Sequence, residues 1–186
     1  MKTDTERVPG QPDMWFFVVF ESLVFTSYFC VYLYSRTQHE AAFLNAQATL
    51  TLPLGIVDTI LLLTSSWTVA RCAALARAAQ HRAAQHYAYA TAGLGVAFLA
   101  LKVVEWVKLI GEGNTFTSGD FMQHFFFLTG MHAIHLLIGF VVLGVLVRQL
   151  ADPQRRSLTA IETCTTYWHT VDLYWVIIFA LLYVVR

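Results

Sequence analysis

Two histidines and a glycine interrupt a stretch that is otherwise apolar enough to cross a lipid bilayer. The stretch runs from Thr129 to Leu137 and contains Gly130, His132 and His135. Polar groups at membrane depth are costly and usually have a partner or a function. Because the two histidines are three residues apart, a helix places both on one face, where they can point together at whatever packs there. The rest of the chain must supply the partners.

The composition indicates an integral membrane protein. Of the 186 residues, 57% are hydrophobic and only 13% are charged, which is outside the range typical of soluble domains. The formal net charge is zero and no basic block occurs, so a nucleic-acid partner is not indicated. The cysteines, Cys30, Cys72 and Cys164, show no Cys-x-x-Cys spacing, so we expect neither a disulfide framework nor a thiolate metal site.

Apolar segments of about 20 residues or more recur along the chain, and each is long enough to cross the hydrocarbon core of roughly 30 Å. They predict an all-α, polytopic membrane bundle with five transmembrane helices, forming a single domain over residues 1–186. The stretch Cys72–Gln85 could extend the second and third helices into a solvated helical hairpin. The predicted helices cover approximately residues 14–34, 50–70, 87–110, 121–147 and 165–185.

Lys and Arg near the segment ends predict a cytoplasmic N-terminus and a C-terminus outside. In that orientation most basic residues lie on the inner side, as the positive-inside rule requires. The inner set is Lys2, Arg7, Arg71, Arg77, Arg82, Arg148, Arg155 and Arg156, and the outer set is Arg36 and Arg186.

Counting residues from the predicted helix ends gives each polar group a depth. Glu21 and Asp172 lie about 10 Å from the inner surface, His169 about 6 Å and His135 about 18 Å. An ionised carboxylate at this depth is costly, so Glu21 should face protein and have a hydrogen-bond partner or a proton. We expect an inner polar tier, related to protons or facing a partner, made of Glu21, His132, His135, Glu162, His169 and Asp172.

A second tier is predicted towards the outside. Asp58 and Lys102 both lie roughly 12 Å from the outer surface, so they could form an intramembrane ion pair. Glu105 is one turn from Lys102 and can join that pair or compete for it. Lys108 is expected to extend to the interface, and Tyr183 to be an interface or packing aromatic.

The same residue types leave other functions open. A di-iron bundle is not indicated, because its Glu-x-x-His pairs are absent. Axial ligation of a b-type haem by His132 or His135 together with His169 remains open, although the pattern favours structural histidines. A small membrane transporter also remains open, without support from an inverted repeat or a visibly broken helix.

Several motifs, in order along the chain, resemble subunit III of the haem-copper oxidases. They cover nearly the whole chain and are most specific in their last two blocks. The chain is similar to the short five-helix branch, which includes homologues associated with nitric oxide reductase. The motifs are Met14–Phe17 leading to Glu21, Leu50–Ser66 with Asp58, Glu105–Trp106, Thr129–Gly139 and Glu162–Trp175.

The resemblance implies an accessory role without catalytic residues. It implies that this chain holds no haem, copper or other metal, that haem and copper lie in the partner, and that the chain packs directly on oxidase subunit I beside the other subunits. It also implies bound phospholipid, support of proton uptake and complex stability in aerobic electron transport, and location in a bacterial-type cytoplasmic membrane. Glu21 matches the family's intramembrane carboxylate. Further polar positions of the family match Glu105, His132, His135, Glu162, His169 and Asp172.

Two departures from the family pattern bear on these expectations. Longer members hold lipid in a cleft formed with two additional N-terminal helices, which this chain lacks. Asp58 and Lys102 stand where better-known members have Asn and Gln, so a neutral pair is replaced by an ionic one. We therefore expect Asp58→Asn alone to destabilise more than the double change with Lys102→Gln, because a single change leaves a buried charge without its partner.

Overall fold

The computed structural model describes residues 10–152, 154 and 156–185, and helices are the only regular secondary structure among them. The all-α prediction is therefore confirmed for this part of the chain. Lys2, Arg7, Arg155 and Arg186, which contribute to the orientation argument, lie outside the described residues. The elements are α1 (Pro12–Gln38), α2 (Glu40–Gln47), α3 (Leu52–Arg77), α4 (His81–Gly111), α5 (Asp120–Ala151), α6 (Leu158–Phe179) and a π-helical turn (Ala180–Val184) that continues α6.

Four of these helices have the length and apolar composition of a membrane span, which makes the protein a multi-pass membrane protein. They are α1, α3, α5 and the continuous helix Leu158–Val184. The remaining long helix, α4, has 31 residues, but its apolar sequence is interrupted by glycines and by Lys102 and Glu105. By length and composition alone, α4 does not qualify as a membrane span.

Helices α3 and α4 form a hairpin that extends beyond the predicted apolar spans. A short reversal separates Arg77 from His81, and Ala79 adopts the left-handed conformation there with φ of 59°. The amide of Gln80 donates to the carbonyl of Leu75 at 2.9 Å, which closes the end of α3. The stretch Cys72–Gln85 therefore does extend both helices.

Helix α6 is the centre of the bundle and packs on α1, α3 and α5. Its two indoles, Trp168 and Trp175, are at most 1% exposed. Each donates a hydrogen bond to α3, from Trp168 Nε1 to Ser65 Oγ at 2.8 Å and from Trp175 Nε1 to Thr59 Oγ1 at 3.1 Å. A buried indole N–H needs such a partner, so these bonds fix the register between α3 and α6.

Helix α1 lies at the periphery and contacts the bundle mainly through α5 and α6. Phe25 is the main attachment, stacked on Tyr174 with ring centroids 4.2 Å apart. Other aromatic side chains of α1 point outwards, including Phe16 and Phe20, which are 78% and 54% exposed. This side of α1 is therefore free to contact lipid or another protein.

Polar side chains of α1 and α2 bind the carbonyls at the end of α6. Helix α2 was not predicted, and it places Gln47 Nε2 3.0 Å from the carbonyl oxygens of both Leu182 and Val185. Arg36 Nη1 donates to Val185 O at 2.6 Å, and Tyr32 donates to Leu181 O at 2.9 Å. Carbonyls at a helix C-terminus lack intrahelical partners and attract positive charge, so this network caps α6.

Candidate functional site

Lys102 lies in the interior of the bundle with a carboxylate on each side. Its Nζ is 2.9 Å from Asp58 Oδ2 and 2.6 Å from Glu105 Oε2, and all three side chains are at most 2% exposed. The structure thus brings together the outer-tier residues that matched depths on α3 and α4 suggest. Lys108, in contrast, is 49% exposed and lies 3.9 Å from Glu112, consistent with a side chain that extends to the interface.

Tyr183 completes this group, which we call the Lys102 cluster: Asp58, Lys102, Glu105 and Tyr183. The phenol donates to Glu105 at 2.8 and 2.9 Å from the two carboxylate oxygens and accepts from Lys102 at 3.2 Å. Tyr183 is only 3% exposed, so of the two expectations for it, interface or packing, the structure supports packing. On a regular helix Tyr183 lies about 20° of rotation from the buried Asp172, so helical periodicity places both residues on the buried face of α6.

Aromatic rings enclose the ammonium of the Lys102 cluster. Lys102 Nζ lies 4.5 Å from the ring centroid of Trp175, 5.4 Å from Tyr183 and 5.9 Å from Phe98. Cation–π attraction of this kind gains strength where water is excluded. The formal charges of the cluster, two carboxylates and one ammonium, sum to −1. Both carboxylates therefore depend on the same cation.

A second pair joins α1 to α5. His135 Nε2 lies 3.0 Å from Glu21 Oε2, and His135 Nδ1 lies 2.8 Å from the carbonyl oxygen of Met131. Since a carbonyl only accepts, Nδ1 must carry a hydrogen. The Nε2–Oε2 bond then holds one proton, either on a cationic imidazole facing a carboxylate or on a neutral carboxyl group facing an imidazole. Both arrangements are neutral overall, so the Glu21–His135 pair shares one proton.

The Glu21–His135 pair is reachable from outside the bundle. The side chains of Glu21 and His135 are 14% and 10% exposed, whereas those of the Lys102 cluster are almost fully enclosed. Phe25 covers one side, with its ring centroid 5.2 Å from that of His135. A neighbouring molecule at the α1–α5 seam could therefore exchange a proton with this pair.

His169 and Asp172 of α6 lie against α3. His169 Nδ1 and Ser66 Oγ are 2.6 Å apart. Asp172 is 3% exposed, and neither of its carboxylate oxygens has a hydrogen-bond partner among the described residues. The predicted face of α6 is thus turned towards α3 and not towards the Glu21–His135 pair.

Glu162 lies at the hairpin end of the bundle, apart from the other acidic residues. Its Oε1 accepts from Arg77 Nε at 3.0 Å and Nη2 at 2.9 Å, and its Oε2 accepts from the amide of Gly10 at 3.2 Å. These contacts tie the start of α6 to the end of α3 and to the chain before α1. The role of Glu162 in this structure is to hold these three segments together.

His132 lies next to the Lys102 cluster and away from the groups it was predicted to join. It is fully buried, with ring centroids 5.5 Å from Phe98 and 5.2 Å from Trp175. Although His132 and His135 are three residues apart, that spacing still rotates one from the other by about 60°. At a junction of several helices, this turns His135 to α1 and His132 to α4 and α6. The six predicted inner residues therefore do not form one tier. Glu21 pairs with His135, His169 and Asp172 lie against α3, and His132 and Glu162 lie elsewhere.

The three histidines considered as haem ligands have different neighbours in the structure. His135 bonds to Glu21, His169 to Ser66, and His132 packs between aromatic rings. In the part of the chain that the structure describes, no group of three or more His, Cys, Asp or Glu residues could hold a metal ion. The geometry supports pairwise hydrogen bonding and proton sharing.

Comparisons with known proteins show the family of the chain. Residues 11–185 match the family model of cytochrome c oxidase subunit III. The chain is 32% identical to cytochrome c oxidase subunit 3 of Synechocystis sp. over 182 residues, covering 94% of this chain and 77% of the relative. It is 30% identical to cytochrome bo(3) ubiquinol oxidase subunit 3 of Pseudomonas aeruginosa over 178 residues, covering 91% and 81%. With 28% identity over 173 residues, cytochrome c oxidase subunit 3 of Bacillus sp. PS3 covers 91% of this chain and 82% of its own length. A match over nearly the whole chain shows that the protein belongs to the cytochrome c oxidase subunit III family.

Proposed function

We propose that this chain is the accessory third subunit of a haem-copper oxidase, that it packs directly on catalytic subunit I, and that the Glu21–His135 pair supports proton uptake by the complex. The observation that carries the proton role is the 3.0 Å contact between His135 Nε2 and Glu21 Oε2, across which the two side chains can share one proton. The pair lies within the membrane span and is partly exposed at the α1–α5 seam. Haem and copper belong to the partner in this proposal, and the oxygen chemistry takes place there.

Five membrane spans, with α4 as the fifth, fit the packing of this helix. Its two charged residues at depth, Lys102 and Glu105, are satisfied inside the bundle, and buried pairing is how spans tolerate such groups. The surface it turns outwards is apolar, with Val96, Val104 and Val107 each at least 58% exposed. At about 1.5 Å per residue, a helix of this length exceeds the bilayer core.

An inner N-terminus and an outer C-terminus remain the proposed orientation within a bacterial cytoplasmic membrane. Among the described residues, Arg71, Arg77, Arg82, Arg148 and Arg156 lie at the hairpin end of the bundle. Arg36 at the opposite end is only 8% exposed and caps α6, so it adds little to the charge of that surface. The asymmetry supports the hairpin end as cytoplasmic. Since α6 contacts α1, α3 and α5, we treat the chain as one membrane domain.

The identity of the complex is tested by isolating it through a tag on this chain in mild detergent. Haem a and copper, with oxidation of reduced cytochrome c, are expected for a cytochrome c oxidase. Oxidation of ubiquinol in place of cytochrome c would indicate a quinol oxidase, a type also found among the relatives. Haem b with non-haem iron would place the chain with nitric oxide reductase. Isolation of the chain without a chromophore would contradict the accessory-subunit proposal.

The proton role is tested by Glu21→Gln in the assembled oxidase. Glutamine keeps the size of the side chain and its ability to hydrogen-bond to His135, but it cannot carry the shared proton. We expect normal assembly and fewer turnovers before the enzyme inactivates, because proton supply to the partner becomes slower. His135→Gln should have the same effect for the same reason.

Glu112→Gln is the matched control, because Glu112 is an exposed carboxylate outside the membrane pairs. Its turnover lifetime should equal that of the unmodified oxidase. The proton proposal is wrong if Glu21→Gln and His135→Gln also keep the full lifetime. If Glu21→Gln and His135→Gln each prevented assembly of the complex, and no second substitution restored it, the pair would have a purely structural role.

A further inference from the structure

The Lys102 cluster contains one more carboxylate than it has cations. Asp58 and Glu105 both contact Nζ of Lys102, at 2.9 and 2.6 Å, and the three side chains are at most 2% exposed. Within the described part of the chain, no ion pair joins either carboxylate to a second cation. Two carboxylates that share a buried site do not both stay ionised when a single positive charge faces them. The cluster therefore lacks one positive charge.

Hydrogen bonds distinguish the two carboxylates of the cluster. Glu105 accepts from Lys102 Nζ at 2.6 Å and from the Tyr183 phenol at 2.8 and 2.9 Å. Donors of this kind stabilise the ionised form of a carboxyl group. Asp58 Oδ2 lies close to Lys102, but neither Asp58 oxygen has a hydrogen-bond partner of suitable geometry among the described residues. The ionised form of Asp58 is therefore the less stabilised of the two.

His132 is the titratable group that faces the cluster from α5, and it does not supply the missing charge. It is fully buried and packs against Phe98 and Trp175, the same rings that contact the Lys102 ammonium. A second cation in this apolar enclosure would be repelled by the ammonium, because charges interact strongly where water is excluded. The end of α6 contributes only a phenol. These neighbours leave Asp58 as the group that can take up a positive charge.

We propose that the Lys102 cluster is a buried proton-binding site, in which Asp58 carries one proton at neutral pH. An exposed aspartate is ionised under these conditions, whereas a buried carboxylate without its own counter-ion is neutralised. The proton brings the net charge of the cluster from −1 to zero and leaves Glu105 as the counter-ion of Lys102. The enclosed cluster differs in this respect from the Glu21–His135 pair, whose side chains are partly exposed.

The test is the infrared absorption of the complex, isolated at neutral pH through a tag on this chain. The C=O stretch of a protonated carboxyl group lies at higher frequency than the bands of an ionised carboxylate. The difference spectrum between the unmodified complex and Asp58→Asn should contain one such band, present only in the unmodified complex. Labelling the side-chain carboxyl of aspartate with carbon-13 should shift this band, and the same label in glutamate should leave it in place.

A second variant tests the charge balance without changing the group that carries the proton. Glu105→Gln leaves Asp58 as the single carboxylate facing Lys102, so Asp58 should ionise and the same band should disappear. Asp172→Asn is the matched control, because Asp172 is another buried aspartate, 3% exposed, that lies outside the cluster. This control should leave the Asp58 band at full intensity. Both cluster variants keep one carboxylate and the lysine, so an ion pair remains in the interior.

Three outcomes would overturn the proposal. The first is an unchanged spectrum in Asp58→Asn. The second is a lost band that shifts with labelled glutamate, which would place the proton on Glu105. The third is a band that survives in Glu105→Gln, which would show that the second carboxylate is not the reason for the proton. The inference depends on contacts within this chain and not on the complex that it joins. The haem content is measured separately, so a preparation without haem would contradict the proposed function and leave the infrared test intact.

Discussion

Removing the ammonium of Lys102 should destabilise the protein more than removing either carboxylate beside it. Lys102 lies 2.9 Å from Asp58 and 2.6 Å from Glu105, so Lys102→Gln leaves two buried carboxylates without a cation. Breaking a buried ion pair on one side typically costs about 3 to 5 kcal/mol. A loss of about 3 kcal/mol lowers the ratio of folded to unfolded protein by roughly a hundredfold.

Asp58→Asn has a different effect because Glu105 still neutralises Lys102. The cluster changes from a formal charge of −1 to zero, and the amide can still accept from Lys102. We expect a change within about 1 kcal/mol, the net value of an ordinary hydrogen bond. The double variant leaves Glu105 without a cation but with the Tyr183 phenol and neutral amides as donors, and it should lie between the two single variants. If Asp58 and Lys102 formed a pair without Glu105, Asp58→Asn would destabilise the protein more than the double variant. The presence of Glu105 reverses that order.

The measurement is the free energy of unfolding in mixed detergent micelles titrated with sodium dodecyl sulfate, followed by near-ultraviolet circular dichroism. Lys108→Gln is the matched control, because Lys108 is a half-exposed lysine on the same helix and should cost less than about 1 kcal/mol. Adding Glu105→Gln to the double variant should recover most of the lost stability. The reasoning is refuted if Asp58→Asn costs as much as Lys102→Gln, or if the triple variant is no more stable than Lys102→Gln.

Two further predictions concern the end of α6 and the space beside it. Arg36→Gln removes the guanidinium from Val185 O and should cost about 1 to 3 kcal/mol, with faster hydrogen exchange at residues 180–185; unchanged exchange would show that the cap is dispensable. Gly55→Ala places a Cβ 2.9 Å from the Tyr183 ring and should lower stability by about 1 to 3 kcal/mol. Gly93→Ala meets no atom within 4 Å and should gain up to about 1 kcal/mol from helix propensity; equal effects at the two glycines would contradict this account.

Matched depth was enough to predict the contact between Asp58 and Lys102, because α3 and α4 are consecutive and antiparallel. Both depths were counted from the outer ends of the predicted spans, and the short turn at the opposite end limits how far α3 and α4 can slide relative to each other. The same count gave Glu21 and His135 depths of about 10 and 18 Å, although they are hydrogen-bonded at 3.0 Å. Helices α1 and α5 are not joined by a turn, and α5 continues to Ala151. The predicted difference in depth between Glu21 and His135 therefore includes the errors in both predicted helix ends and any difference in helix tilt.

The remaining differences between sequence and structure have local causes. Helical periodicity places Tyr183 on the same face as the buried Asp172, whereas an aromatic residue near the end of a span favours the membrane interface by composition. The short helix α2 depends on contacts with the end of α6, which only tertiary structure provides. The predicted span over residues 87–110 lies within α4, but α4 is not among the helices that qualify as membrane spans by length and composition, and it contains the charged residues Lys102 and Glu105.

The central position of α6 has a consequence for the order in which the bundle is made. Helices α3 and α4 leave the ribosome well before α6, so Lys102 and its two carboxylates enter the membrane before Tyr183, Trp168 and Trp175 are available. The Asp58–Lys102–Glu105 contacts need only the α3–α4 hairpin, so these charges can neutralise each other during insertion. The hairpin can therefore stay in the bilayer as an intermediate whose three charged residues have a net formal charge of only −1, until α6 is synthesised and the other helices pack around it.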